Sequence, residues 1–176
     1  VNLEPCAHFG KTPPCSKLII EHQIPKVVIG CVDIFSKVNG KGIKQMKSKG
    51  IEVVTGVLEN KCRELNKRFF TFYKEKRPYI ILKWAESTDG FIAPENQKKS
   101  FWMTSAKSKK LVHQWRSEEM GILIGTNTAI KDNPSLTVRK VVGKNPTRYV
   151  IDKNLRLPLN LSIFNEKANT FILTEK

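Results

Sequence analysis

Residues 26–55 read KVVIGCVDIFSKVNGKGIKQMKSKGIEVVT, and this stretch decides the fold class. Lys26–Val32 is a continuous run rich in β-branched residues, which predicts a strand buried on both faces. Gly40–Lys49 carries helical spacing and stops at Gly50. Ile51–Thr55 returns to a β-branched run. A strand, a helix and a strand in so short a span predict parallel pairing in an α/β layer structure. Upstream, Val1–Leu3 reads as a short strand. It leads into the loop Glu4–Pro14, which holds Gly10 and three prolines. Residues 15–23 have helical apolar spacing and end before Pro25. Downstream, Glu59–Tyr73 reads as one long amphipathic helix with Cys62, Leu65, Phe69, Phe72 and Tyr73 near one stripe.

The run Lys74-Glu75-Lys76-Arg77-Pro78 is charged, ends in proline and marks a boundary. It divides the chain into residues 1–77 and 78–176. A strand over Tyr79–Ala85 follows, then the turn Ser87-Thr88-Asp89-Gly90. Thr104-Ser105 caps a helix reaching about Arg116. Gly121–Gly125 reads as a buried strand and Thr126–Asp132 as a short helix stopped by Asn133-Pro134. Thr147–Asp152 and Thr170–Thr174 complete the strands. There is no internal repeat and no low-complexity segment.

The chain has 176 residues, 40% hydrophobic and 27% charged, which suffices for a buried core and excludes wholesale disorder. No run approaches the ~18 apolar residues of a membrane span, and no secretory leader is visible. The first residue is Val, and the expectation is a piece from the middle of a longer protein. Lys and Arg total 31 against 16 Asp and Glu, a net charge of +15. That excess admits nucleic acid, an anionic membrane or phosphorylated small molecules as partners. Its distribution opposes a nucleic-acid face. Residues 1–77 hold 15 basic and 7 acidic residues (net +8), and residues 78–176 hold 16 and 9 (net +7). Only seven of the basic residues are Arg, the side chain favoured for forked phosphate and base contacts. Most of the charge is a Lys-rich solvated surface. The four cysteines, at 6, 15, 31 and 62, do not form the dense pattern of a secreted scaffold and suit a reducing cytoplasm. Cys31 and Cys62 read as structural thiols.

The sharpest local signal is Pro5-Cys6-Ala7-His8-Phe9-Gly10-Lys11-Thr12-Pro13-Pro14-Cys15. Two cysteines flank a proline-stiffened loop, and the second opens a helix, where a thiolate is favoured. A catalytic zinc uses three protein ligands and an open position. In zinc deaminases the set is a His and two Cys, with a non-ligating Glu as proton carrier. The usual Pro-Cys-x-x-Cys spacing is absent here. The longer string Leu3-Glu4-Pro5-Cys6-x-His8-x-Gly10-x-Thr12-Pro13-Pro14-Cys15 resembles the deaminase domain of the bifunctional riboflavin-biosynthesis deaminase/reductase family. The resemblance implies that Cys6 and Cys15 are two of three zinc ligands. It implies that His8 and Lys11 touch substrate, Lys11 through its phosphate. The third ligand and the catalytic Glu are expected in a His-Ala-Glu segment upstream of Val1, so no catalytic residue is assigned within this chain. Taken alone, His8 would be an ordinary loop residue. Asp33-Ile34-Phe35-Ser36 stands where the family has an Asp-Pro-Asn-Pro turn.

The resemblance continues through the second half. Lys83-Trp84-Ala85-Glu86-Ser87-Thr88-Asp89-Gly90 is similar to the opening strand and turn of the family's reductase domain. Ser100-Phe101-Trp102-Met103-Thr104-Ser105 and Thr126–Arg139 (TNTAIKDNPSLTVR) follow it. The implied fold is the C-terminal part of a cytidine-deaminase-like α/β/α domain, followed by the N-terminal part of a dihydrofolate-reductase-like α/β domain. The resemblance implies an NADPH contact for Glu86, Trp102, Thr128 and Asp132. It implies a substrate contact for Ser100, Arg116, Leu136 and Arg139. Arginine forks suit phosphate or ring carbonyls, and Trp102 offers a flat apolar face. Lys83 is assigned to polarising the sugar carbon. Taken alone, Trp102 reads as a core aromatic, Asp132 as a helix-ending residue and Asp89 as a turn residue, and for Asp89 the turn is preferred. Glu86 and Lys153 replace small residues of the family, which leaves backbone or stem atoms for contacts there. No Gly-x-Gly-x-x-Gly follows a strand, so a Rossmann site is not supported.

The implied function is riboflavin biosynthesis, with a zinc-dependent hydrolase step and an NADPH-dependent oxidoreductase step on a phosphorylated pyrimidine. It implies a cytoplasmic homo-oligomer with no nucleic-acid or membrane partner. The chain as given is expected to be incomplete for both reactions. The competing readings are a stand-alone NADPH reductase with a vestigial deaminase half, a basic nucleic-acid-binding module, and a structural scaffold.

Overall fold

The computed structural model describes residues 1–96 and 102–175. The chain forms two compact units that divide between Leu82 and Lys83.

The first unit runs α1 (Cys15–Glu21), β1 (Lys26–Ile29), α2 (Lys41–Ser48), β2 (Glu52–Thr55), α3 (Glu59–Leu65) and α4 (Lys67–Glu75). β1 and β2 pair in parallel, with Val27 opposite Val53 and Ile29 opposite Thr55. The parallel pairing expected of residues 26–55 is therefore present. β1 alternates, however: Val27 and Ile29 are buried, while Lys26 and Val28 are exposed. It is not buried on both faces, because the core lies on one side of the pair. That core is Val27, Ile29, Met46 and Ile51, with Ile19, Ile20, Ile43 and Val53 packed against it. Each fully buried aliphatic side chain contributes about 1.5–3 kcal/mol. Val1–Leu3 forms only an isolated parallel bridge, Leu3 to Cys31.

Glu4 follows that bridge and is 4% exposed. Its carboxylate accepts N–H bonds from Asp33 (3.3 Å), Gly40 (2.9 Å), Gly42 (3.1 Å) and Ile43 (3.3 Å). The last two are first-turn donors of α2, which lack partners within the helix. A carboxylate remote in sequence thus caps α2 and complements its dipole. Gly42 lies so close to the Glu4–Pro5 backbone that a Cβ there would sit 2.1 Å from the Pro5 carbonyl oxygen. Glycine to alanine in a helix normally stabilises. Here Gly42→Ala should instead lower the first unit's stability by about 1–3 kcal/mol, read as a reduced denaturant midpoint. An unchanged or raised midpoint would contradict this packing.

Glu59–Tyr73 is not one helix. It breaks at Asn66, whose side-chain amide donates to the Cys62 carbonyl at 2.8 Å. That carbonyl also accepts the Asn66 backbone N–H at 3.1 Å. A side chain bonding back to its own helix bends or ends it.

The second unit contains α5 (Ala106–Glu118), β3 (Gly121–Gly125), α6 (Thr126–Asp132), β4 (Thr147–Ile151), a 3-10 turn (Ser162–Phe164) and β5 (Thr170–Leu173). Its sheet is parallel in the order β3-β4-β5. Ser105 caps α5 as expected, its hydroxyl accepting the Ser108 N–H at 3.2 Å. Ala129, Leu136, Val150 and Ile163 form the core, flanked by Ile122, Ile124 and Ile172. The opposite face carries Leu123, Ile151, Phe171 and Leu173, all exposed. Tyr149 and Phe171 stack there at 5.6 Å.

Tyr79–Ala85 is not a strand. Its β-rich composition is real, but a strand needs a ladder partner, and none exists among the described residues. The Ser87–Gly90 turn is present, with the Gly90 N–H donating to the Ser87 carbonyl at 2.9 Å and Gly90 at φ +83°. Among the described residues no helix is long and apolar enough to cross a membrane.

Candidate functional site

Each unit holds one constellation. In the first, the Glu4 anchor and the Leu3–Cys31 bridge fix the start of the loop, and α1 fixes its end. The loop brings Cys6 and Cys15 together. The Cys15 N–H donates to the Cys6 sulfur at 3.2 Å, and the Ser16 N–H to the Cys6 carbonyl at 3.1 Å. Cys15 is exposed, Cys6 half-buried, and both are free thiols. The helix start does not yield an easily formed thiolate at Cys15. Its hydrogen bond with the Cys6 thiol pushes the Cys15 thiol above its ordinary value, and burial adds to this.

His8 is half-buried, with its ring 5.8 Å from that of Phe35 and its Nδ1 buried without a partner. Lys11 is exposed. Two adjacent sulfurs fit two corners of a four-coordinate zinc site. Among the described residues no group of three or more His, Cys, Asp or Glu completes it. Asp33 accepts the Phe35 N–H at 2.7 Å.

In the second unit, α5 presents His113 and Arg116 three residues apart, hence on one face. Opposite lies the segment that follows α6. The Arg116 Nη1 donates to the Thr137 carbonyl at 2.8 Å, and the Arg139 Nη1 to the Thr137 hydroxyl at 2.9 Å. The Arg139 backbone N–H donates to His113 Nδ1 at 3.1 Å. Arg116 is half-buried, and its Nε is buried with no partner. Burial, and then the charge of Arg139, push its guanidinium below the usual range. Among the described residues no carboxylate lies within ion-pair distance of Arg116 or Arg139. A half-buried, incompletely satisfied Arg116 beside an exposed Arg139 is a natural seat for an anion.

The other expected positions are scattered. Thr128 and Asp132 are exposed on α6. Trp102 is 61% exposed rather than core, with the Lys109 ammonium 4.3 Å over its ring. Glu86 is exposed and accepts the Trp84 indole N–H at 3.1 Å. Lys83 is exposed. Ser100 lies outside the described residues. The Leu136 side chain is 6% exposed and belongs to the core. An apolar side chain between β4 and α6 is worth more buried than at a ligand, so only the Leu136 main chain remains for contact. It sits at φ +53°, an uncommon conformation for leucine. Sequence reading missed His113 and Thr137. A His one helical turn before an expected phosphate-binding Arg was the available signal.

The family described as the RibD C-terminal domain matches residues 78–176. The chain is 46% identical over its whole length to a riboflavin biosynthesis protein RibD from Aquifex aeolicus, covering 50% of that protein. It is 45% identical to the Synechocystis protein of the same description, covering 48%. It resembles the crystal structure of a diaminohydroxyphosphoribosylaminopyrimidine deaminase/5-amino-6-(5-phosphoribosylamino)uracil reductase from Thermotoga maritima. The TM-score is 0.90 and the identity 41%, over 99% of this chain and 49% of that one. The chain thus spans about half the length of the relatives it matches. With more than half of its residues matched by the family description, the chain belongs to the RibD C-terminal domain family.

Proposed function

We propose that this chain is part of a bifunctional enzyme of riboflavin biosynthesis, which deaminates a phosphoribosylaminopyrimidine and then reduces its ribose. The observation that carries the reading is the Arg116–Thr137–Arg139 cluster, where two guanidiniums bond one threonine with no carboxylate at ion-pair distance among the described residues. Such a cluster suits the phosphate of a ribosyl substrate. The finer fold assignment belongs with it: a cytidine-deaminase-like part over residues 1–77 and a dihydrofolate-reductase-like part over residues 78–176.

When bound, zinc would supply an activated water for hydrolytic deamination, and NADPH a hydride for reduction. Cys6 and Cys15 are the sulfur ligands. His8, with a buried unpartnered Nδ1, and Lys11 face the substrate of the deaminase half. Thr128 and Asp132 offer hydroxyl and carboxylate groups to the dinucleotide, and Trp102 an apolar face. Glu86 contributes its stem or backbone, and Lys83 polarises the sugar carbon. Arg116, Arg139 and the Leu136 main chain hold the pyrimidine sugar phosphate. The partner is a small phosphorylated pyrimidine rather than a nucleic acid or membrane, in a cytoplasmic homo-oligomer.

Ribose 5-phosphate titrated into the chain should shift the amide resonances of residues 113–139. Arg139→Gln should weaken that binding about 10-fold or more, the loss of a charge-assisted contact. Equal binding by Arg139→Gln and wild type would remove the reading. In the same preparation, Cys6→Ser with Cys15→Ser should abolish the cysteine-to-metal charge-transfer band that cobalt(II) gives as a zinc surrogate. Persistence of the band would displace these cysteines from the ligand set.

A further inference from the structure

The arginine pair does not hold itself in place. His113 is 6% exposed, sits on α5 one helical turn before Arg116, and takes the Arg139 backbone N–H on its Nδ1 at 3.1 Å. Arg139 has a second tie, its guanidinium to the Thr137 hydroxyl at 2.9 Å, while Arg116 grips the Thr137 carbonyl at 2.8 Å. His113, Thr137, Arg139 and Arg116 therefore form one hydrogen-bonded unit across α5 and the segment after α6. We propose that His113 is a positioning residue for anion binding: by accepting the Arg139 N–H it fixes the arginine pair, and it does so only as a neutral imidazole. This rests on the reading that the pair receives a phosphate.

The charges facing His113 are all positive. Arg116 comes from its own helix, and Arg139 and Lys140 from the opposing segment. No acid among the described residues offsets them. Burial and these three cations oppose its protonation, so the imidazole is held below its ordinary value of 6.5. With Nδ1 accepting, the single ring proton is on Nε2. Adding a second proton would set an N–H against the Arg139 N–H and break the tie.

Two accounts of this histidine make opposite statements about acid. If His113 merely added charge near an anion site, protonating it would tighten anion binding. If it positions Arg139, protonating it loosens the site. Sulfate separates these, because its charge does not change between pH 7.5 and 5, whereas a phosphate monoester titrates near ~6.

The experiment is an NMR titration of the chain with sodium sulfate, read on the Arg139 and Val138 amides, at pH 7.5, 6 and 5. The wild type should bind more weakly as pH falls below 6.5, in step with the His113 ring resonances. His113→Leu should bind about 5- to 10-fold more weakly at pH 7.5, the loss expected of one neutral hydrogen bond. His113→Asn, whose carbonyl can still accept the Arg139 N–H, should restore the affinity and flatten the pH profile. Tightening in acid, or a wild-type affinity that stays flat while the His113 ring resonances show it protonating, overturns the proposal even if the leucine variant fails to fold. Wild-type affinity in a folded His113→Leu protein also overturns it. If Arg139→Gln and Arg116→Gln leave sulfate binding intact, the underlying phosphate reading fails instead.

Discussion

Replacing Arg148 with methionine should destabilise the second unit by about 3–5 kcal/mol. Arg148 is the second residue of β4 and is fully buried. Its Nη1 donates to the Ser135 carbonyl and the Asn165 side-chain oxygen, both at 3.1 Å. Its Nη2 donates to the Asn165 carbonyl at 2.7 Å and to the Ala168 carbonyl. Among the described residues no carboxylate compensates the charge. Oriented carbonyl dipoles do so instead, which makes the burial tolerable. Burial pushes the guanidinium below its usual range. A methionine keeps the bulk and removes every donor, leaving main-chain acceptors from both loops buried and unpaired at about 1–3 kcal/mol each.

Lysine would not rescue the variant, since one ammonium cannot reach both loops with a planar fork. Chemical denaturation followed by tryptophan fluorescence, all three tryptophans lying in the second unit, should show the midpoint falling in both variants. A methionine variant as stable as the wild type would refute the account. The effect should also reach the anion site, because Ser135 lies just ahead of Thr137 and Arg139. At denaturant concentrations well below the midpoint, sulfate affinity should fall with it.

Arg148 also shows where the sequence stops being informative. Its neighbours in β4 alternate as a strand should, and an arginine at an inward position reads as an error in the pattern. Its partners are 13 to 20 residues away and leave no periodic trace. By contrast, the bounds of β3 and α6 were readable to the residue, because glycines bound the first and Asn133-Pro134 stops the second, although β3 is not the buried strand expected: Leu123 and both bounding glycines are exposed. The break at Asn66 was hidden because the apolar stripe keeps its phase across it, while the cause is one side-chain hydrogen bond. Tyr79–Ala85 failed for another reason: composition reports strand propensity, and pairing needs a partner. At the sites, the Cys6–Cys15 loop was visible as a string of fixed residue types. Arg116 and Arg139 entered only through family resemblance. His113 did not enter at all, since its one trace in the sequence is its place a helical turn before Arg116, and its acceptor role shows only in the structure.

Glu4 and Asp33 are neighbouring buried acids, and their amide substitutions should act in opposite directions. Glu4 takes four backbone N–H groups, two of them at the start of α2. Glu4→Gln keeps the shape but replaces one oxygen by an NH₂ group, which then faces N–H donors. It also removes the negative charge from the α2 N-terminus. A loss of about 3–6 kcal/mol follows, since hydrogen bonds to charged groups contribute about 1.5–3 kcal/mol each and two would be lost. Because Glu4 precedes Pro5-Cys6, metal affinity at the thiol pair should fall as well.

Asp33 accepts one N–H, from Phe35, and an asparagine can accept it equally. Burial first, and the Glu4 charge further, push its carboxyl above the ordinary 3.8, against the Phe35 hydrogen bond. The native state therefore holds the Asp33 proton more tightly than the unfolded chain does. That contribution is complete below 3.8 and is lost as pH rises through the native value, so ionised Asp33 weakens the fold at neutral pH. Asp33→Asn should raise the denaturant midpoint at pH 7 and lose this advantage near pH 3.5, where the wild-type carboxyl is protonated as well. Parallel denaturation of both variants at the two pH values decides the matter. A stabilised Glu4→Gln would show that Glu4 is not the anchor of this loop, and an Asp33→Asn that is less stable at pH 7 would show that ionised Asp33 does not weaken the fold.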